Sequence, residues 1–234
     1  GRQPLRNLKQ RTTREIEMNV NDLIISETAR MDVYKGLSAC YCTPETNLIK
    51  RLNKMERQLA FLGSDAFAPI VLMRSELQGT ENLDKLTVEF ARLFIGPYRL
   101  PAPPYGSIYL EGERKIMGDS TIDVRQRYLD SGLVISENFK DAPDHIAAEL
   151  EFMHFLVSNE INAIRSEQFD ESAECLLKQK SFLAAHLGAW IADFSRDAEH
   201  STTCDFYRHM ARATRVFITE DLQYLSSLNV YQAC

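Results

Sequence analysis

A chain of 234 residues with 27 Lys and Arg against 33 Asp and Glu carries a net charge of −6; that surplus of acid argues against a nucleic-acid partner, which demands clustered Lys and Arg. With 44% hydrophobic and 26% charged residues the composition is that of an ordinary globular protein with material for a large core. No run approaches the eighteen or so consecutive apolar residues of a membrane helix, so stable membrane insertion is not expected.

The first seventeen residues, GRQPLRNLKQRTTREIE, hold five cations and two acids with no apolar segment behind them, the wrong pattern for a secretory signal. They read as a disordered N-terminal extension (1–17) ahead of one helical domain (18–234). The remainder is then more acidic than the whole, which suits a cationic partner such as a basic peptide. Helical spacing predicts elements over 20–38 (Leu23, Ile24, Ala29, Val33) and 45–62 (Leu48, Leu52, Met55, Leu59), a shorter piece over 65–77 after Gly63, and another over 81–94, where Leu86, Phe90, Leu93 and Phe94 share a side. Next comes a break over 95–120 holding four prolines and four glycines, long enough to be functional. "GDSTIDVRQRYLDSG" starts a further helix with Ser120 as N-cap, Asp123 in capping-box position and Gly132 as stop. A second break, "LVISENFKDA", covers 133–142. The next helix opens near Pro143, with Ile146, Leu150, Met153 and Val157 recurring at four, three and four residues. Two more follow, over 171–197 and 203–228. The expectation is an all-α bundle of about eight helices, with a long Pro/Gly-rich loop between N- and C-terminal groups. Such a loop is a potential hinge for domain exchange, so monomer and swapped dimer are both open.

Few chemistries fit the remaining residues. Cys40, Cys42, Cys175, Cys204 and Cys234 are odd in number and contain no C-x-x-C, which reads as reduced cytoplasmic thiols. Ser107 and Ser120 lack a G-x-S-x-G elbow. His145 and Glu149 stand at i,i+4 without a second His or Cys to complete a metal set. "GDST" is not a phosphate loop. No catalytic residue, metal or cofactor is expected, and the chain reads as a binding protein.

Two features suggest what it binds. Asp141, Asp144 and His145, with Glu149 one turn on, form a polar cluster at a helix start; it serves either as an acidic helix terminus or as an acceptor for a guanidinium. Tyr98, Leu100, Tyr105 and Tyr109 lie along a Pro-constrained path after Phe90, Leu93 and Phe94. These rings either plug the core or line a groove for an apolar peptide.

The stretch "FARLFIGPYRLPAPPYGSIYLEGERKIMGDSTIDVRQRYLDSGL", together with "PDHIAAELEFMHFL", resembles the TorD/DmsD family of cytoplasmic maturation chaperones for molybdoenzymes, and the likeness extends over about residues 20–225. The motifs that carry it are Phe90, Leu93 and Phe94; Gly96, Pro97 and Tyr98; Pro103, Pro104, Tyr105, Gly106 and Ser107; and Gly118 through Thr121. Where the family reads Glu-Pro-x-Asp-His this chain reads Asp-Ala-Pro-Asp-His, so Asp144 and His145 match while Asp141 replaces a glutamate. The resemblance implies binding of the twin-arginine signal peptide of a molybdenum-cofactor oxidoreductase, whose apo form is held from export until the cofactor is inserted. The residues it nominates are Phe90, Leu93, Phe94, Tyr98, Pro104, Tyr105, Gly118, Asp141, Asp144, His145 and Glu149. Two alternatives stay open: a nucleotide-binding or GTP-hydrolysing maturation factor, and a scaffold that binds only the mature client.

Overall fold

The computed structural model describes residues 4–77, 82–97, 99–112, 116–134 and 141–228. Ten α-helices follow in order among them: α1 (Pro4–Cys40), α2 (Leu48–Leu62), α3 (Phe67–Ser75), α4 (Asn82–Phe90), α5 (Gly106–Leu110), α6 (Asp119–Asp130), α7 (Ile146–Arg165), α8 (Phe169–Ala185), α9 (Leu187–Ser201) and α10 (Asp205–Ser227). A π-helical turn, Ala91–Ile95, extends α4, and the described residues contain no β-strand. The all-α expectation holds.

Periodicity explains most of these elements. On α2 the buried residues are Leu48, Leu52, Met55 and Leu59, one stripe at four, three and four. Gly63, with φ 66°, closes that helix in the left-handed conformation glycine tolerates. Ile146, Leu150, Met153 and Val157 are all buried on α7, but so are Ala147, Phe152, Leu156 and Ile161. A helix apolar on more than one face belongs in the centre, and α7 packs against α1 on one side and α8 on another. The N- and C-terminal groups are not separate layers: α1 lies along α7, and α3 lies along α10.

Several boundaries differ from the sequence reading. α1 begins at Pro4, within the stretch taken as an unstructured extension. The element expected over 171–197 is two helices, broken at His186, whose backbone (φ −123°, ψ −107°) is not helical. The Pro-rich loop contains α5 and is no open tether, since Ala102, Pro103, Pro104, Gly106, Ser107 and Ile108 are buried. Ser120 does not cap α6. Gly118 is the N-cap residue, and Glu111 reaches across so that its carboxylate accepts from the Ser120 backbone N–H (2.8 Å) and hydroxyl (2.5 Å). Asp123 instead accepts from Arg127 and pairs with His186. Gly132 (φ 78°) ends α6 as expected.

One charged cluster lies inside the bundle. Arg30 of α1, 4% exposed, pairs with Glu27, with Glu160 of α7 (3.3 Å) and with Asp221 of α10 (3.0 Å). Its guanidinium also donates to Gln179 of α8, and Tyr34 donates to Asp221. Burial works against the guanidinium's charge, but Asp221, Glu27 and Glu160 more than offset it and hold Arg30 protonated. Three carboxyls share that one cation. Burial, reinforced by Glu27, pushes Glu160 up to about 7 against the opposing pull of Arg30.

Removing the hub cation strands its partners. Arg30→Met is expected to lower folding free energy by on the order of 3–5 kcal/mol, read from denaturant unfolding. Glu160 also links stability to pH. Its folded pKa exceeds its unfolded value, so its contribution is full in acid and is lost as pH rises through about 7. Melting temperatures taken at successive pH values from acid to above neutrality should show this decline, and Glu160→Gln should flatten it.

Candidate peptide-binding site

The break in helical pattern and the start of α7 meet as backbone. Four prolines, Pro97, Pro101, Pro103 and Pro104, have no N–H to give, so the buried part of this segment has few donors and each must find an acceptor. The Gly106 N–H donates to the Asp144 carbonyl (2.9 Å) and the Ile146 N–H donates to the Pro104 carbonyl (2.9 Å), forming an antiparallel bridge between Tyr105 and His145. The Ser107 N–H donates to the Asp144 carboxylate at 2.8 Å. Asp144 therefore receives the segment twice, through main chain and side chain.

The N-cap of α7 is His145, two residues beyond Pro143; its Nδ1 accepts from the Ala147 N–H at 3.1 Å. Burial lowers its pKa, against the raising effect of Asp141 and Asp144, which favours the neutral ring a cap acceptor needs. One turn on, Glu149 is fully buried and accepts from Trp190 Nε1 at 3.0 Å. Burial raises its pKa well above the usual carboxylate value against the lowering effect of the Trp190 bond, and Asp144 adds to the rise. Gly106 sits against both groups: a Cβ there would lie 3.0 Å from Trp190 Nε1 and 3.2 Å from Glu149 Oε1. A side chain after Tyr105 would crowd both groups and oblige them to shift by a few tenths of an ångström.

The three carboxylates of the expected acidic cluster thus divide. Asp144, 1% exposed, and Glu149, 0% exposed, face inward; Asp141 is open to solvent. Tyr105, half-buried, donates its hydroxyl to Asp141 (3.0 Å) and stands edge-on to His145, with ring centroids 5.3 Å apart. Burial, then the charge of Asp141, pushes the Tyr105 phenol up to about 12 and keeps it a donor. What reaches the surface is one carboxylate bonded by a half-buried phenol, with the buried His145 imidazole behind that ring.

Of the rings nominated for binding, Phe90 and Phe94 plug the core. Phe90 (5%), Leu93 (0%) and Phe94 (4%) are buried; Phe94 packs against Tyr41, Phe194 and Tyr207 with centroids 5.9–6.1 Å apart. Their stripe faces the core because α9 and α10 offer it aromatic partners. Pro104 is buried in the bridge, and Tyr98 lies outside the described residues. Gly118 is also structural: a Cβ there would overlap the Glu111 carboxylate that caps α6. Of the nominated residues, the structure brings Tyr105, Asp141, Asp144, His145 and Glu149 together and separates Phe90, Leu93, Phe94 and Gly118 from them. Trp190 and Ser107 complete the assembly. Trp190 reads only as a core residue in sequence, and Ser107 acts through its main chain, which no sequence pattern reports.

Among the described residues no group of three or more His, Cys, Asp or Glu could hold a metal ion. Cys40, Cys42, Cys175 and Cys204 are free thiols, and Cys234 lies outside the described residues. No helix among the described residues is long and apolar enough to cross a membrane.

The family model for the nitrate reductase delta subunit matches residues 53–196, more than half of the chain. The chain belongs to that family. The matched span contains every residue of the site, including the Pro-Pro-Tyr-Gly-Ser and Gly-Asp-Ser-Thr motifs that carry the resemblance. Among relatives of this delta-subunit family member, the Tat proofreading chaperone DmsD of Salmonella typhimurium is 28% identical over 185 residues, 77% of this chain and 82% of the relative. The chaperone protein TorD of Vibrio parahaemolyticus is 29% identical over 144 residues, 60% of this chain and 64% of the relative. A crystal structure of a proposed redox enzyme maturation protein from Archaeoglobus fulgidus gives a TM-score of 0.49 at 21% identity, over 81% of this chain and 93% of that one. Both curated relatives are named as chaperones and not as enzymes.

The division of the carboxylates has a measurable consequence. Asp144→Ala leaves the Ser107 N–H buried without its acceptor and should cost roughly 1–3 kcal/mol of folding free energy. Asp141→Ala removes an exposed carboxylate and should stay within about 0.5 kcal/mol of the parent. Paired chemical-denaturation curves decide; equal losses would mean that Asp144 does not hold the segment.

Proposed function

We propose that the chain is a maturation chaperone that binds the twin-arginine signal peptide of a molybdenum-cofactor oxidoreductase and keeps the apo-enzyme from export until its cofactor is in place. The observation that carries this reading is the Asp141 carboxylate, exposed just ahead of α7 and, among the described residues, held by a neutral phenol and paired with no cation. An arginine of a leader peptide would supply the charge that Tyr105 does not, and a charge-assisted hydrogen bond of this kind contributes about 1.5–3 kcal/mol. Tyr105 and His145 fix the geometry of the acceptor, since one bonds it and the other packs edge-on against that ring. Asp144 acts behind them by pinning the Pro-rich segment to the start of α7, and Glu149 ties α7 to Trp190 of α9. The names of the curated relatives, a Tat proofreading chaperone and TorD, support the same reading.

Release is part of the task. One or two exposed charge contacts with apolar burial correspond to micromolar affinity, about −8 kcal/mol, which permits exchange. Binding confined to the leader also separates this reading from a scaffold for the mature enzyme. In isothermal titration, precursor and isolated leader should bind alike and leaderless client should not. Changing both leader arginines to glutamine should weaken binding by about tenfold or more. Equal affinity for leaderless client would favour the scaffold, and steady GTP turnover by the purified protein would favour a nucleotide-driven factor.

A further inference from the structure

Behind the exposed acid lies a buried polar seam. Five side-chain atoms there are sealed from solvent and meet no partner among the described residues: Ser107 Oγ of α5, Thr121 Oγ1 of α6, Asp144 Oδ1 and Glu149 Oε1 at the head of α7, and His186 Nδ1 at the break between α8 and α9. Each of these residues is at most 3% exposed. A native interior leaves few polar atoms in that condition, because each forfeits the hydrogen bonds it made in water.

The five belong together. Asp144 Oδ1 is the second oxygen of the carboxylate that takes the Ser107 N–H, so it lies beside Ser107. Glu149 Oε1 approaches the preceding residue: a Cβ on Gly106 would stand 3.2 Å from it. The other Glu149 oxygen accepts from Trp190, one turn past His186. Burial raises the pKa of the Tyr128 phenol, and Glu149 and then Asp144 add to the rise. That phenol lies two turns beyond Thr121 on the same buried face of α6. His186 closes the ring, since its Nε2 meets Asp123 of α6 at 2.6 Å. Burial lowers its pKa, while Asp123 and Asp144 oppose the fall.

Their chemistry narrows the occupant. An ionised aspartate only accepts, the two hydroxyls donate or accept, and a neutral His186 that donates through Nε2 offers Nδ1 as an acceptor. The missing partner must therefore donate to some atoms and accept from others. It must also be small, because even a Cβ on Gly106 would crowd Trp190 and Glu149. No group among the described residues could hold a metal ion. Water meets both conditions, and at roughly three bonds per buried molecule five atoms call for about two.

We propose that the seam binds a cluster of about two water molecules that bridge Asp144 and Glu149 to Ser107, Thr121 and His186. These waters join α5, α6 and the start of α9 to the head of α7, and they complete the support of the segment that Asp144 pins. The assignment does not depend on what the surface above it binds.

The test counts long-lived internal waters in the full chain by oxygen-17 magnetic relaxation dispersion. Thr121→Val keeps the shape of the side chain and removes its hydroxyl, and Ser107→Ala removes the hydroxyl on α5. Each should lower the dispersion amplitude by about one resident water, while Ser75→Ala, on the surface of α3, should leave it unchanged. Stability supplies an independent sign. A hydroxyl bonded to water is lost at a cost, so Thr121→Val should lower the urea midpoint; a dry, orphaned hydroxyl is better removed, and a raised midpoint would overturn the proposal. Unchanged amplitudes in both seam variants would do the same. Melting curves in ammonium chloride and in sodium chloride at equal ionic strength should coincide, and extra stabilisation by ammonium would put a cation in the seam in place of water. Should Thr121→Val fail to fold, Ser107→Ala carries both readouts.

Discussion

A proline-rich segment placed in a protein interior has carbonyls to satisfy and few amides to offer, and this constraint organises the site. The chain meets it by laying Pro104–Ser107 against the residues that open α7, where one aspartate receives a main-chain and a side-chain bond. Everything displayed nearby follows from that contact. Tyr105 is swung over His145, its hydroxyl reaches Asp141, and Gly106 settles closely against Trp190 and Glu149. The inward carboxylates are thus the reason the outward one has a fixed address.

The helices were legible because burial on one face leaves a period that survives in the chain. Leu48, Leu52, Met55 and Leu59 announce α2 without help from any other element, and Ile146 to Val157 do the same for α7. Ends were less legible, because a cap is completed by whatever comes near it. Ser120 and Asp123 make a plausible capping box in sequence, but Glu111, across a turn, takes the first of them and His186 and Arg127 take the second. The break at His186 was equally hidden, since apolar spacing continues through it.

The site was half legible. Asp141, Asp144 and His145 stand out as a polar group at a helix start, and they are indeed together. Their order of exposure could not be read, because it depends on the partner segment lying on Asp144. The aromatic path had two readings of similar weight in the sequence, and packing against Tyr41, Phe194 and Tyr207 decided for the interior in the case of Phe90 and Phe94. The buried polar seam had no signature at all: Thr121 and His186 are ordinary until α5 and α7 lie beside them.

The buried arginine has a bearing on how the chain comes into being. Arg30 leaves the ribosome 191 residues ahead of Asp221; of its three carboxyl partners only Glu27 is close along the chain, and Glu160 follows 130 residues later. A buried guanidinium needs its partners; α7 and α8 supply Glu160 and Gln179 first, and the set is complete only when α10 brings Asp221. Contacts so distant along the chain also form slowly. On the proposed reading, a protein that shelters unfinished enzymes completes its own buried charge cluster only when nearly all of it has been synthesised.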